Sequence, residues 1–280
     1  MNPERKPCSH RINVKPLSND DELDINTQSS SHWDGLRHVG YREGRLFYNG
    51  ATQEDISGPN ANERCGVQSR YNRFPPPVLR SKRTDLQHGW ATDLARKSIV
   101  GRGVLLDYRS WATEHGINYS AFESHRITLD DLMKCAEAQG TEFRQGDILL
   151  IRSGWTEDYN QRSDAEKSAL ANRASRMFVG VENSLAMAEW HWKTGFAAVA
   201  GDTNAYEVWP PAQSVDGSIL PYSLHEVFLA GWGMPIGEVW NLEDLSAECK
   251  RLRKWTFLLV SQPLNIPGGV ASPCNATAIL

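Results

Sequence analysis

The sequence predicts an α/β or α+β fold, because apolar strands alternate with an amphipathic helix. Residues 99–107 (IVGRGVLLD), 146–155 (GDILLIRSGW) and 196–200 (FAAVA) contain short apolar runs next to glycine or polar residues, which is typical of buried strands. Residues 128–139 have a helical pattern: Thr128 begins a sequence that imitates a capping box, and a glycine follows the last position. Strands separated by a helix of this kind indicate an α/β or α+β protein.

The remaining elements complete a single predicted domain over residues 1–280. A strand is predicted at 9–14, an acidic turn at 19–22 and a short aromatic strand at 45–50. The stretch 51–86 is rich in Gly, Pro, Asn, Arg and Ser without a period, so we expect a long loop or insert there. Further helices and strands are predicted towards the C-terminus: helices at 163–174, 181–193 and 242–253, and strands at 234–240, 255–261 and 276–280.

Composition and motifs exclude several classes of protein. The formal net charge of −4 lacks the basic excess of a nucleic-acid-binding protein, and no apolar run is long enough to span a membrane. Five cysteines without a CxxC pair indicate a reducing, cytoplasmic setting, and no secretory signal precedes them. The sequence has no GxSxG elbow, HExxH pair or P-loop. Ten tryptophans can line a pocket for an aromatic or apolar ligand or simply fill the core.

Residues 28–38 (QSSSHWDGLRH) contain several polar side chains that can bind a metal or act as a general base. Gln28, His32, Asp34 and His38 have the same parity, so they share one face if the segment is extended. The pair His32 and Asp34 can then offer a nitrogen and an oxygen to one divalent ion. The same residues can equally form a surface turn at Gly35 with solvated histidines.

A second constellation lies near the C-terminal third of the chain. Glu238 falls inside a predicted buried strand, where a carboxylate needs a metal, a histidine or an arginine as partner. His225 precedes it at the edge of an apolar run. Asp202 follows the strand 196–200, a frequent position for residues that build sites and also for turn residues.

Taken together, the motifs resemble the cyclase family, whose best-known members are bacterial-type kynurenine formamidases and isatin hydrolases. The family signature H-x-G-T-H-x-D-x-P-x-H appears at 28–38 as Q-x-S-S-H-x-D-x-L-x-H. Residues 146–155 are similar to the family's GD-x-x-L-x-R-T-G-W strand, and 200–203 (AGDT) to its G-x-D-T turn. Residues 225–242 and 263–273 resemble its late histidine, its E-N-L segment and its closing pattern. The sequences of several stretches, notably 31–38 and 267–273, are most similar to the fungal branch of the family, which suggests a role in secondary metabolism.

The resemblance implies a fold and an assembly. The fold is a swivelling β/β/α domain with a mixed or barrel-like β core and flanking helices. Family members are commonly dimers or tetramers, so we expect a homo-oligomer that acts on a small molecule and has no nucleic-acid or membrane partner.

The resemblance also implies a divalent metal, held by His32 and Asp34. Gln28 stands in the place of the family's first histidine ligand. Because a carboxamide oxygen is a poorer ligand for zinc than an imidazole, manganese or magnesium becomes more plausible, and the metal can also be lost altogether.

His38, His225 and Glu238 would complete the site by the same resemblance. His38 would be the acid/base histidine or a ligand of a second metal, and Glu238 would bind metal or act on a water. We also predict three substrate contacts: Trp33, Asp202 and Ser272.

These residues predict a metal-dependent cyclase or formamidase-type enzyme that hydrolyses an amide, a lactone or a related carbonyl. Gln28 and the tryptophan content support an alternative, a metal-free cyclase, isomerase or dehydratase that acts on a natural-product intermediate. A binding protein that retains only the pocket is the third possibility.

Overall fold

The protein is built on one eight-stranded mixed sheet with helices packed against it. The structure, a computed structural model, describes residues 5–58, 61, 98–211 and 221–280. The strands of this sheet are β3 (His32–Asp34), β4 (Ile99–Leu106), β6 (Ile148–Ile151), β8 (Ala198–Gly201), β9 (Ile236–Glu238), β10 (Thr256–Ser261), β11 (Ala271–Pro273) and β12 (Ala276–Ile279). The predicted α/β class with a mixed sheet is confirmed.

The centre of the sheet is parallel and its margins are antiparallel. The strand order is β11-β3-β9-β8-β6-β4-β10-β12, and β4, β6, β8 and β9 run parallel to their neighbours in that block. β3 lies between β11 and β9 and is antiparallel to both. The N-terminal segment that carries the candidate site is therefore held by two strands from the C-terminal part of the chain.

Two apolar cores cover the two faces of the sheet, which explains the continuous apolar runs. In β6, Leu149 and Ile151 face the larger core, whereas Ile148 and Leu150 face the smaller one. Successive side chains of a strand point to opposite faces, so a strand buried on both sides is apolar at every position.

Helices connect the parallel strands and follow the predicted caps. α3 (Leu129–Gln139) begins after Thr128, whose side chain accepts a hydrogen bond from the Asp131 backbone N–H, and it ends at Gly140 in the left-handed region. The other helices are α1 (Gln53–Ser57), α2 (Tyr108–Glu114), α4 (Trp155–Asn160), α5 (Asp164–Ala171), α6 (Leu185–Thr194) and α7 (Glu243–Leu252).

Two local predictions were wrong. The acidic segment predicted as a turn is the strand β2 (Asn19–Asp24), which pairs with β1 (Ser9–Val14) in an antiparallel hairpin. Residues 45–50 contain a 3-10 helix (Tyr48–Gly50) instead of a strand. The run that follows His225 is a π-helix (Glu226–Trp232), a form that occurs often at functional sites.

Two further segments complete the description. The short strands β5 (Arg126–Ile127) and β7 (Gly180–Val181) form a separate parallel pair. The predicted loop at 51–86 lies mostly outside the described residues, which show α1 at its start. Among the residues described, none of the helices has the length and apolar character that a membrane span requires.

Candidate active site

The short strand β3 places two polar side chains on one face and a tryptophan on the other. Trp33 packs edge-on against Trp240, with ring centroids 4.9 Å apart, and donates a hydrogen bond from Nε1 to Ser261 Oγ at 2.9 Å. Because side chains alternate along a strand, His32 and Asp34 project together from the opposite face. Both are fully buried.

His32, Asp34 and Glu238 form the first group of potential metal ligands. Glu238 is directly opposite His32 in the antiparallel pairing of β9 with β3. The His32 Nε2 atom lies 3.6 Å from Asp34 Oδ1 and 3.4 Å from Glu238 Oε2. One ligand atom from each of the three residues falls within 4.8 Å of the others.

Asp34, His38 and His225 form a second group on the other oxygen of Asp34. The Asp34 Oδ2 atom lies 3.7 Å from His38 Nε2 and 3.9 Å from His225 Nε2. His225 Nε2 is also 2.8 Å from Glu238 Oε1. Each of the two carboxylates therefore faces a histidine with each of its oxygens.

The donor atoms of the first group fit a divalent cation. His32 donates from Nδ1 to the Ser30 carbonyl at 2.7 Å, which fixes the tautomer and leaves the lone pair of Nε2 directed at Asp34 and Glu238. Within the described part of the chain, the buried atoms His32 Nε2 and Asp34 Oδ2 have no hydrogen-bond partner. Such atoms are costly unless something binds them.

Gln28 belongs to the site, as a hydrogen-bond donor. Its Nε2 donates to Asp34 Oδ1 at 2.8 Å and lies 3.2 Å from His38 Nδ1. The four residues predicted to converge from 28–38 do converge, but parity along an extended strand is not the reason. Only His32 and Asp34 are in β3, and His38 returns through a turn closed by its backbone N–H on Gly35 O.

Glu207 is a site residue that the sequence analysis missed. Its side chain is almost fully buried and accepts two hydrogen bonds from His225, from Nδ1 at 2.7 Å and from the backbone N–H at 3.2 Å. This fixes the His225 ring so that Nε2 faces Glu238. Glu207 lies in the loop after β8 with no ligand-like spacing, so its only sequence signal is its position beyond the strand end.

The buried carboxylates set the protonation of the histidines. Burial disfavours a charged imidazole at His32, but Asp34 and Glu238 outweigh it and raise the pKa of His32 to about 9. Burial is likewise outweighed at His225, where Glu207 and Glu238 raise the pKa well above its ordinary value. Burial opposes the charge of Glu238, yet the hydrogen bond from His225 and the positive charges of the His225 and His32 imidazoles lower its pKa to about 2. The cluster therefore attracts positive charge, carried either by protons or by a metal.

A cavity of about 440 Å³ opens onto the site and is lined by His38, His225 and Glu238. Burial lowers the pKa of His38, so its imidazole is neutral near pH 7 and can accept a proton. Phe178 and Trp209 also line the cavity. Its size suits a small molecule that contains one or two rings.

The structure does not bring the three predicted substrate contacts into this cavity. Trp33 is in the smaller core, on the far face of β3. Asp202 is fully buried and accepts hydrogen bonds from Ser153 and Gly154 at the end of β6. Ser272 is buried in β11, where its hydroxyl accepts from the Leu264 backbone N–H. All three serve packing or local hydrogen bonding.

Comparison with known proteins places this site in a family. The family model described as "Putative cyclase" matches residues 4–208. The chain belongs to this cyclase family. The predicted resemblance is thus confirmed, and as a member of the family the chain is an enzyme.

Solved structures agree with the family assignment. A crystal structure of a novel cyclase has a TM-score of 0.75 and 27% sequence identity, covering 99% of this chain and 83% of that one. The match to isatin hydrolase A from Ralstonia solanacearum has a TM-score of 0.58 and 15% sequence identity. It covers 98% of this chain and 82% of the hydrolase. The match to isatin hydrolase A from Labrenzia aggregata, bound to benzyl benzoate, has a TM-score of 0.57 and 17% sequence identity. It covers 99% of this chain and 86% of that one. These two share the fold, and no curated protein matches the chain in sequence.

Proposed function

We propose that the protein is a metal-dependent hydrolase of the cyclase family that cleaves an amide, a lactone or a related carbonyl in a small aromatic or apolar metabolite. The observation that supports this most is the pair of buried, unpartnered atoms, His32 Nε2 and Asp34 Oδ2, beneath a cavity lined by His38. Isatin hydrolases share the fold, which agrees with ring-opening or amide hydrolysis.

His32, Asp34 and Glu238 would hold the cation. A divalent ion bound there supplies Lewis-acid polarisation of a carbonyl and a lower pKa of water. Glu238 presents one oxygen to His32 and the other to His225, so it can orient both groups.

The protein's own acid/base group at the cavity is His38. Its neutral imidazole is placed to take a proton from water as a carbonyl is attacked, and to return it to the leaving nitrogen or oxygen. His225, fixed by Glu207 and Glu238, stays protonated and stabilises negative charge that develops on the substrate.

The test begins with metal analysis of the purified protein by mass spectrometry. We expect stoichiometric Mn, Zn or Mg, loss of hydrolysis of a panel of aryl amides and lactones after chelation, and recovery when the ion is restored. Asp34→Asn should lose both metal and activity. Asp147→Asn, a buried carboxylate paired with Arg102 away from the cavity, should keep both. Full activity in metal-stripped protein would contradict the proposal.

One observation favours the alternative, a metal-free cyclase, isomerase or dehydratase. Several polar groups of the site already bind one another: Gln28 donates to Asp34, and His225 lies between Glu207 and Glu238. Such a network can perform acid/base chemistry with His38 without a cation. Turnover that chelation leaves unchanged would support it. Cytoplasmic location, homo-oligomeric assembly and a fungal, secondary-metabolic role remain predictions from the sequence.

A further inference from the structure

Three arginines line the cavity above the site, and the proposed hydrolysis assigns no role to them. Arg5, Arg42 and Arg176 line it together with the carboxylates and histidines already described. Arginine presents a planar fork of N–H donors that matches a carboxylate. These donors can bind a ligand only where the carboxylates of the cavity do not already accept their hydrogen bonds.

The three carboxylates that line the cavity are bound by other groups. Glu207 and Glu238 both bind His225. Glu226 accepts hydrogen bonds from the Ser223 backbone N–H at 2.8 Å, from Ser223 Oγ at 3.0 Å and from the Arg42 backbone N–H at 2.7 Å. None of the three depends on a guanidinium for its main contacts.

Arg42 retains most of its hydrogen-bonding capacity. Its side chain is 76% exposed, and the only ion pair of its guanidinium within the described ranges is the contact of Nη2 with Glu226 Oε2 at 3.4 Å. A guanidinium has five N–H donors, and a single long contact leaves enough of them for a bidentate carboxylate. Arg176 lines the same cavity and adds positive charge.

An aromatic surface lies in the same cavity as these arginines. Phe178 and Trp209 are directly opposed in a short antiparallel bridge, with reciprocal backbone hydrogen bonds of 3.0 and 3.1 Å. Directly opposed residues of such a bridge present their side chains on the same face. Both side chains line the cavity, and Trp209 keeps 38% exposure, so they offer a wall against which a planar ring can pack.

We propose that the cavity selects an aromatic substrate that carries a carboxylate, with Arg42 as the anchor of the carboxylate and Phe178 and Trp209 as the ring contacts. The inference rests on the proposed function for the position of the reacting carbonyl, at His38. Beyond that function, the substrate would carry a negative charge, and Arg42 would bind it.

Direct binding tests the inference without catalysis. The probes are 4-formamidobenzoate and 4-formamidobenzamide, which differ chiefly in charge, titrated into chelator-treated protein by calorimetry or NMR. We expect the benzoate to bind about tenfold more tightly than the benzamide, equivalent to about 1.4 kcal/mol. Arg42→Gln should remove this preference and Arg42→Lys should keep part of it. Equal affinities for both probes, or a preference that survives in Arg42→Gln, would overturn the proposal.

A matched control and an activity assay separate the two proposals. Arg251 is also exposed and paired with a glutamate, Glu248, so Arg251→Gln should leave the preference intact. Loss of the preference in Arg251→Gln would point to a general charge effect and overturn the role of Arg42. With metal restored, hydrolysis of both probes without a preference would leave the proposed function standing and remove the anionic site. Preferential, Arg42-dependent binding without hydrolysis would support the site and contradict the function.

Discussion

Asp34 is the residue on which both groups of potential ligands depend. Its Oδ1 atom faces His32 and Gln28, and its Oδ2 atom faces His38 and His225. Removal of this carboxylate would take away part of the counter-charge of the buried His32 imidazole. A buried charge that loses its partner costs several kcal/mol, so a variant of Asp34 must be checked for folding before its activity is interpreted.

Replacing Gln28 with histidine should strengthen metal binding. The amide now donates a proton to Asp34, whereas an imidazole at this position could offer a lone pair beside the same carboxylate. We expect Gln28→His to bind Zn²⁺ at least tenfold more tightly, measured by competition with a chromogenic chelator. Gln28→Glu, which adds charge without an imidazole, is the comparison. An unchanged Zn²⁺ affinity in Gln28→His would mean that this side chain lies outside the coordination sphere.

Glu207 should act on the reaction through His225. Glu207→Gln keeps the shape but loses the charge that fixes the ring, and we expect kcat to fall about 10- to 100-fold with KM nearly unchanged. The metal affinity, measured by calorimetry, should fall by a similar factor. The buried carboxylate variant Asp147→Asn should change neither value. A loss of thermal stability without a change in kcat would assign Glu207 a purely structural role.

Sequence motifs predicted most of these residues, and physical reasons explain the exceptions. His32, Asp34, His38, His225 and Glu238 were found because short spacings and a family pattern mark them. Trp33 was predicted as a substrate contact. In a strand, however, the residue between two ligands must face away from them. Glu207 could not be found, since only the folded chain brings its loop to His225.

At the scale of elements, apolar strands were easier to predict than the acidic strand β2. β4, β6 and β8 are recognisable in the sequence as apolar runs, whereas β2 has the sequence NDDELD and was predicted as a turn. Acidic residues have low strand propensity. In the hairpin its carboxylates face basic residues: Lys6, Arg11 and Lys15 pair with Asp24, Glu22 and Asp20. Such cross-strand pairs depend on register, which composition does not reveal.

Gly237 in β9 should prove essential to the element that supports the site. A Cβ there would lie 2.7 Å from the Ala200 Cβ and 2.8 Å from Trp240 Nε1. Trp240 Nε1 donates a hydrogen bond to the His32 carbonyl, so the clash would disturb the strand that carries the ligands. Gly237→Ala should therefore lower the free energy of unfolding by about 1–3 kcal/mol, measured by denaturant titration, and weaken metal binding.

The matched control is Gly101 in β4 of the same sheet. A Cβ at Gly101 would meet the flexible end of Ile148 at 3.3 Å, so Gly101→Ala should cost less than Gly237→Ala. Equal costs for the two variants would mean that the close contacts of Gly237 are not what matters.

For the whole molecule, a buried histidine makes stability depend on pH. Complete burial lowers the pKa of His191 to about 4, and its ring is held by the Met187 carbonyl and Tyr206. In the unfolded chain the pKa of histidine is about 6.5, so below that pH the unfolded state binds the extra proton. The contribution is fully present above pH 6.5 and is lost as the pH falls towards 4, by roughly 3 kcal/mol.

The measurement is the free energy of unfolding between pH 7 and pH 4.5. His191→Gln should show a smaller loss of stability over this interval than the parent protein. His115→Gln replaces an exposed histidine and should follow the parent. Parallel curves for the parent and His191→Gln would show that another group controls acid unfolding.

The position of β3 in the sheet has a consequence for how the protein is made. β3 is synthesised early, yet both of its neighbours, β9 and β11, are translated late. During synthesis, His32 and Asp34 therefore lack both neighbouring strands until β9 and β11 have emerged from the ribosome, whereas β4, β6 and β8 can pair earlier. A chain that stopped before Glu238 would lack one of the three residues of the first ligand group, so the capacity to take up metal should appear only after β9 has been synthesised.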